Sequence, residues 1–358
     1  MELGLVGRAN AGKTALFNLV TGAEGEVAPY PFTSREPARA RADVPDPRVH
    51  AIADAQDIPG RVMAQVQLVD IAGLAAGAGS GEGVGGAALG QLRQTDALVH
   101  VVRAFANAEV PHPEEAVDPV ADAEAGDLEL ILADRDQVER RMERVRKGAR
   151  AGEAGAKEEL AGLETIAATL DEGRGARAVD DEDARALAAE MGLLSAKPVI
   201  YVANTDEELD PPADLAAYAA DRDAKALALP VGMELELAGM DADEAAELAQ
   251  DLGLGDVRGA DAVVAAAYEL LDLVTFFTGS GPPEARAWPI TRGTNAARAA
   301  GKIHSDLERG FIRAEVIQWE DLVEAGSYSK AKESALVRME GRDYIVQEGD
   351  VLQIRFNV

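Results

Sequence analysis

Eight residues near the amino end, Gly7-Arg8-Ala9-Asn10-Ala11-Gly12-Lys13-Thr14, limit what this chain can fold into more than any other stretch. They fit the pattern G-x-x-x-x-G-K-[ST]. An apolar run from Leu3 to Val6 precedes them and suits a buried first strand, and Ala15 to Val20 follows as a helix start. The pattern has chemical meaning only in that strand–loop–helix setting. There the glycines let the backbone wrap a polyphosphate, so that successive N–H groups and the helix N-terminus point at it. The expected cradle is Gly7, Asn10, Ala11, Gly12, Lys13, Thr14 and Ala15. Lys13 would reach the β- and γ-phosphates, and the Thr14 hydroxyl would ligate Mg²⁺. The alternative is a glycine- and alanine-rich turn that matches by chance, and the flanking elements weigh against it.

At 358 residues the chain has room for two or three domains, and at 47% hydrophobic it can fill their cores. No apolar run approaches the roughly 18–20 residues that span a bilayer, so no membrane partner is expected. The amino end lacks a charged n-region and a cleavage site, and there is no cysteine. Together these features favour the cytoplasm. The net charge of −29 argues against a protein that coats nucleic acid, since each phosphate contact needs a cation. DNA is therefore not an expected partner, although a local basic patch is not excluded. The acidity fits either a salt-adapted surface or a genome with biased composition.

Residues 23–47 are rich in proline, glycine and charge and read mostly as loop. Within them, Tyr30-Pro31-Phe32-Thr33-Ser34-Arg35-Glu36-Pro37 resembles a switch whose hydroxyl, Ser34 or Thr33, closes over the γ-phosphate and Mg²⁺. Gln65 to Ile71 reads as a strand that delivers Asp70 at its carboxyl end. Asp70-Ile71-Ala72-Gly73 then matches D-x-x-G, in which the aspartate holds Mg²⁺ and the glycine N–H senses the γ-phosphate. Many GTPases follow that glycine with a glutamine that orients the attacking water. Here it is Leu74, which cannot polarise water, so hydrolysis would be slow without another group. The glycine-rich residues 73–90 read as a mobile switch. His100, inside the apolar strand Asp96–Arg103, reads as core. His112 lies between two prolines in a loop near the nucleotide end of the sheet and is a candidate helper for the water.

From 120 to 196 the apolar spacing turns helical. Leu128, Ile131, Leu132, Val138, Met142 and Val145 are matched by Leu160, Leu163, Ile166 and Leu170, with a hairpin tip at Gly148–Glu153. Two long antiparallel helices and a shorter one at 183–193 are expected. Arg135, Arg140, Arg141, Arg144, Arg146, Lys147 and Arg150 are either a solvated face or a site for RNA. Pro198 to Asn204 resumes the sheet and ends in Asn204-Thr205-Asp206-Glu207. Guanine-specific proteins of this class carry N-K-x-D there. Thr205 in place of the lysine and Glu207 in place of the aspartate would weaken guanine selectivity and admit adenine; an ordinary helix cap is the alternative. Helices around 215–223, 241–251 and 260–272 and a strand at 226–230 follow. After Thr275, strands at 286–290, 311–317, 343–346 and 351–356 and one helix at 295–308 suggest an α+β module of ubiquitin-like type.

With these motifs in hand, the chain resembles the Obg-like ATPases, in the YchF branch of the Obg-related P-loop proteins, along essentially its full length. The resemblance is carried by GRANAGKT, YPFTSREP, DIAGL, GSGEGVGG, NTDE, AARAAGKIHSDLERGFIRAEVI and EGRDYIVQEGDVLQIRFNV. It implies an α/β P-loop G domain with a mainly parallel sheet (residues 1–119 and 197–274), an inserted helical coiled-coil domain (120–196) and a C-terminal TGS domain (275–358). It implies ATP hydrolysis in preference to GTP, and a switch that associates with the ribosome, at its large subunit, in translation or stress response. By the same resemblance Lys13 and His112 serve catalysis, and Thr14, Ser34 and Asp70 handle Mg²⁺. Gly73, Asn204, Thr205 and Glu207 join the nucleotide contacts, and Asn10 matches a P-loop asparagine that accompanies K⁺ activation. The chain departs from the family pattern at Ser34, where threonine is usual, at Arg8-Ala9, where Leu-Pro is usual, and at Ala76, where a lysine is often found. None of these removes a phosphate or metal ligand.

Overall fold

In the first sheet the most apolar strands are the central ones. β1 (Glu2–Val6), β2 (Ala38–Asp43), β4 (Gln65–Asp70), β5 (Ala97–Arg103), β6 (Val199–Asn204) and β7 (Lys225–Leu229) form it in the order β2-β4-β1-β5-β6-β7. The pairings of β1 with β4 and β5, of β5 with β6 and of β6 with β7 are parallel. Every residue of β5 and β6 is buried, as in a parallel sheet covered on both faces. The structure is a computed structural model that describes residues 1–23, 38–70, 86–107, 109–112, 116–254, 259–279 and 283–357. By internal contacts the chain divides into two units, Met1–Ala42 with Gln67–Ala267, and Asp43–Val66 with Tyr268–Val358. The second unit therefore takes in a stretch that the sequence reading left with the amino-terminal part. β2 also corrects the reading of 23–47 as loop: its alternating Ala and Arg residues are mostly exposed at a sheet edge, so no apolar run marks it.

The helices of the first unit are α1 (Lys13–Thr21), α3 (Gly86–Leu92), α4 (Pro119–Ala151), α5 (Ala156–Asp171), α6 (Glu182–Glu190), α7 (Ala213–Ala220), α8 (Val231–Ala238), α9 (Ala242–Asp251) and α10 (Gly259–Leu270), whose last turn crosses into the second unit. α4 starts where Asp118 accepts the amides of Val120 and Ala121, each at 3.0 Å, with Pro119 in the first turn. It runs through the expected hairpin tip and stops at Gly152, whose φ of 77° reverses the chain. Ile131, Val138, Met142 and Val145 pack on Leu163, Ile166 and Leu170 of α5. Leu128 and Leu132, expected on that seam, are 49% and 46% exposed. Inside the turns of α4, the buried Asp134 accepts the amides of Leu194 and Ser195 and pairs with Arg93, which fixes the helix against its neighbours. His100 is fully buried, as expected.

The second unit is α+β. β3 (Gly60–Val62), β8 (Leu273–Thr278), β9 (Glu284–Thr291), β10 (Phe311–Gln318), β11 (Arg338–Glu340) and β12 (Asp350–Phe356) form a mixed sheet in the order β11-β10-β12-β8-β9-β3. Its helices are α2 (Pro47–Ala55), α11 (Ala296–Ile303), α12 (Ser305–Arg309), α13 (Trp319–Ala325) and α14 (Tyr328–Glu333). The expected strand at 343–346 is instead irregular chain. There the Tyr344 hydroxyl and the Gln347 amide both donate to Asp350, and the nearby strand is β11. The expected helix at 295–308 breaks at His304, which is extended at φ −162° and whose ring Nδ1 caps the next turn by accepting from Asp306 N.

Candidate nucleotide site

The phosphate-binding loop joins β1 to α1 in the expected setting. Gly7 has φ 139°, Asn10 φ 61° and Gly12 φ 98°. A Cβ at Gly7 would drive into the Val101 carbonyl, and one at Gly12 into the side-chain amide of Asn204, so both positions need glycine for conformation and for space. Among the described residues no side chain caps the first turn of α1, so its free amides suit an anion. Lys13 is buried and its ammonium donates to the carbonyls of Gly7 (2.9 Å) and Arg8 (2.7 Å), folding back over its own loop. Burial pulls its pKa down to about 8, against the opposing charges of Asp70 and Glu129.

Thr14 and Asp70 are in contact: the hydroxyl donates to Asp70 Oδ2 at 2.8 Å. Asp70 Oδ1 is buried with no hydrogen-bond partner among the described residues. Burial raises the Asp70 pKa, while the Thr14 bond and Lys13 oppose that rise. A hydroxyl and a carboxylate carrying an orphaned oxygen are hard donors that suit Mg²⁺. Ser34, Thr33, Gly73, Leu74 and Ala76 lie outside the described residues, as do residues 71–85 of the glycine-rich stretch.

The base motif leaves the end of β6. Asn204 is buried and donates from Nδ2 to the Ala11 carbonyl at 3.0 Å, tying this strand end to the phosphate loop. Thr205 is buried, with its hydroxyl donating to the Glu208 carbonyl at 2.7 Å, whereas Glu207 is exposed. Thr205 thus spends its hydroxyl within the turn that follows β6.

His112 is brought to the loop, though not bare. Its Nε2 lies 3.0 Å from Asp122 Oδ2, and the other Asp122 oxygen lies 3.6 Å from Arg8 Nη1. Asn10 donates from Nδ2 to the Pro111 carbonyl at 2.8 Å. Behind this loop the buried Arg103 donates to the carbonyls of Phe105, Asn107 and Val110, and its guanidinium lies over the Phe105 ring. Asp206 accepts the amide of Ala106 at 3.0 Å. One connection after β5 thus touches the phosphate loop, the base motif and α4. Asp122, Arg103 and Asp206 carry that arrangement and none was singled out by sequence. Asp122 is one of several acids in the run 114–129, and only packing distinguishes it.

Residues 2–137 match the family model described as 50S ribosome-binding GTPase, and residues 273–357 match the C-terminal domain of YchF GTPases, described as a protein of unknown function. A Bacillus subtilis protein named ribosome-binding ATPase YchF is 40% identical over 366 residues, covering 100% of both chains. The Haemophilus influenzae protein of the same name is 42% identical, covering 100% of this chain and 99% of that one. Obg-like ATPase 1 of Oryza sativa subsp. japonica is 35% identical, covering 100% of this chain and 92% of that one. The solved structure of the Schizosaccharomyces pombe YchF GTPase superposes with a TM-score of 0.79 at 29% identity, covering 99% of this chain and 97% of that one.

Proposed function

This chain belongs to the YchF family, and from that premise we propose that it is a Mg²⁺-dependent nucleoside triphosphatase that prefers ATP to GTP and acts as a conformational switch on the ribosome. One observation carries the hydrolytic part: the Lys13 ammonium and the uncapped amides of α1 converge beside the Thr14–Asp70 pair. Phosphoryl transfer needs positioning and charge compensation more than covalent chemistry. Lys13 and the amides of Gly12 to Ala15 would bind and orient the phosphates, and Thr14, Asp70 and Ser34 would hold Mg²⁺, which supplies charge neutralisation there. Gly73 would contact the γ-phosphate, Asn204, Thr205 and Glu207 would lie on the base side, and His112 would stand in for the glutamine that Leu74 replaces. Asn10 would accompany activation by K⁺.

The ATP preference is supported by the buried, inward-bonded Thr205 and the exposed Glu207. The names of the relatives speak both of an ATPase and of a GTPase, so an Obg-type GTPase is the second reading. Ribosome association is supported by the names of the relatives, its large-subunit part by the 50S in the description of the family model, and a cytoplasmic setting is proposed with that partner. No helix among the described residues is long and apolar enough to cross a membrane. Calorimetric titration of ATP and GTP with Mg²⁺, in sodium and then in potassium, tests the reading. Tighter GTP than ATP would replace it with the GTPase, and binding of neither would end both.

A further inference from the structure

Asp122 gathers side chains from separate parts of the chain. It sits in the first turn of α4 and is 2% exposed. One oxygen faces His112 Nε2 at 3.0 Å and the other faces Arg8 Nη1 at 3.6 Å. Arg8 belongs to the phosphate-binding loop, and its own carbonyl accepts the Lys13 ammonium. Two residues on, Asn10 holds the Pro111 carbonyl, the peptide that leads into His112. We propose that Asp122 is a positioning residue for His112 in nucleotide hydrolysis, with Arg8 keeping that carboxylate in register with the phosphate-binding loop. This rests on the hydrolytic reading above and adds to it a residue that acts through the histidine.

Burying a carboxylate costs several kcal/mol unless it is paired. A helix head can repay part of that cost, because an anion there meets the positive end of the dipole. Yet α4 is already capped by Asp118, which takes two of its free amides. Asp122 is therefore not needed to start the helix, and its oxygens point to His112 and Arg8 instead. An imidazole bound through Nε2 to a carboxylate is fixed in rotamer and in tautomer, with the proton on Nε2. That is how a third group orients a base in hydrolytic sites generally. Arg8 supplies the positive charge that keeps the carboxylate compensated whether the histidine is neutral or protonated.

Steady-state ATP hydrolysis with Mg²⁺ by D122N, H112A and the double variant tests the assignment. D122N should lower kcat roughly 10- to 100-fold, the range seen when an orienting partner is removed, while KM for ATP stays unchanged. The double variant should be no slower than H112A, because the two residues act as one unit. In ¹⁵N spectra the His112 ring should carry its proton on Nε2 in the wild type and become a tautomer mixture in D122N. D122S is read in the same way if D122N does not fold. D122N at full rate, or a further loss in the double variant equal to the single D122N loss, overturns the inference alone. A wild-type chain that hydrolyses neither ATP nor GTP overturns the function itself, and this inference with it.

Discussion

The Thr14 hydroxyl donates to one oxygen of Asp70 at 2.8 Å, while the other oxygen of that carboxylate is buried without a partner among the described residues. The two residues lie 56 positions apart and come from different elements, α1 and β4. A carboxylate half used and half orphaned is costly in a folded protein, since each unpaired buried acceptor carries its desolvation penalty.

That arrangement makes Mg²⁺ dependence the first prediction. D70N retains the Thr14 contact but loses the charge. Nucleotide affinity in D70N should be nearly indifferent to Mg²⁺, whereas the wild type should gain on the order of 10- to 100-fold from the metal. Titration of a fluorescent ATP analogue with and without Mg²⁺ measures both. An undiminished metal effect in D70N would move the metal elsewhere.

Lys13 gives the second. Its ammonium is buried and bonded only to neutral carbonyls of its own loop among the described hydrogen bonds. An incoming phosphate offers it the negative charge that those carbonyls lack. K13A should lose on the order of 100- to 1,000-fold in kcat, as expected for removal of one preorganised charge stabiliser, and should bind ATP more weakly. Single-turnover rates decide, and full turnover in K13A would remove Lys13 from the mechanism.

Gly12 gives the third, through shape. At φ 98° an L side chain is strained, and its Cβ would collide with the Asn204 amide. G12A should cost about 1–3 kcal/mol in stability, read from urea unfolding. It should also abolish nucleotide binding, because Asn204 could no longer reach the Ala11 carbonyl. A G12A chain with normal ATP affinity would refute this account of the loop.

The base motif gives the fourth. Replacing Thr205 with lysine and Glu207 with aspartate restores the N-K-x-D pattern, and GTP affinity should rise relative to ATP. Thr205 is buried, so the new lysine must carry its stem outward from the end of β6. Competition binding measures the ratio. An unchanged ratio would mean that base choice is made by other residues.

How legible the site was depends on what each residue does. Lys13 and Thr14 could be singled out because they stand in one short loop pattern, and Asp70 because it ends an apolar strand in a D-x-x-G pattern. Asp122 and Arg103 were not, since nothing in an acid-rich run or at a strand end says which side chain will turn inward. The Asp127 carboxylate, which accepts from both Tyr201 and Tyr218 under the first sheet, was missed for the same reason. In the fold, the parallel strands announced themselves as apolar runs. Helix α8 did not: its apolar residues Val231, Met233, Leu235 and Leu237 alternate and mimic a strand. Strand β11 is short and almost wholly polar, so the expectation moved to Tyr344 and its neighbours, where side-chain bonds to Asp350 hold an irregular chain.

The fifth prediction concerns acid stability of the second unit. Glu315 is buried on β10, where it accepts from the Tyr328 hydroxyl at 2.6 Å, from Arg355 at 3.2 Å and from Lys332 at 3.3 Å. Burial alone would raise its pKa, but the bonds from Tyr328, Arg355 and Lys332 outweigh it and bring the value from 4.5 to about 2. A carboxylate whose folded pKa is depressed contributes stability that is fully present above its unfolded pKa. That contribution drains away as pH falls from about 4.5 through 2. The gap of roughly 2.5 units sets an upper bound on the order of 3 kcal/mol. E315Q should therefore be destabilised at pH 7 by up to that amount and should converge on the wild type near pH 2. Both tryptophans, Trp288 and Trp319, lie in this unit, so urea unfolding followed by tryptophan emission reports it directly. A stability difference that persists undiminished at the acid end would show that Glu315 contributes by packing, and not through its charge.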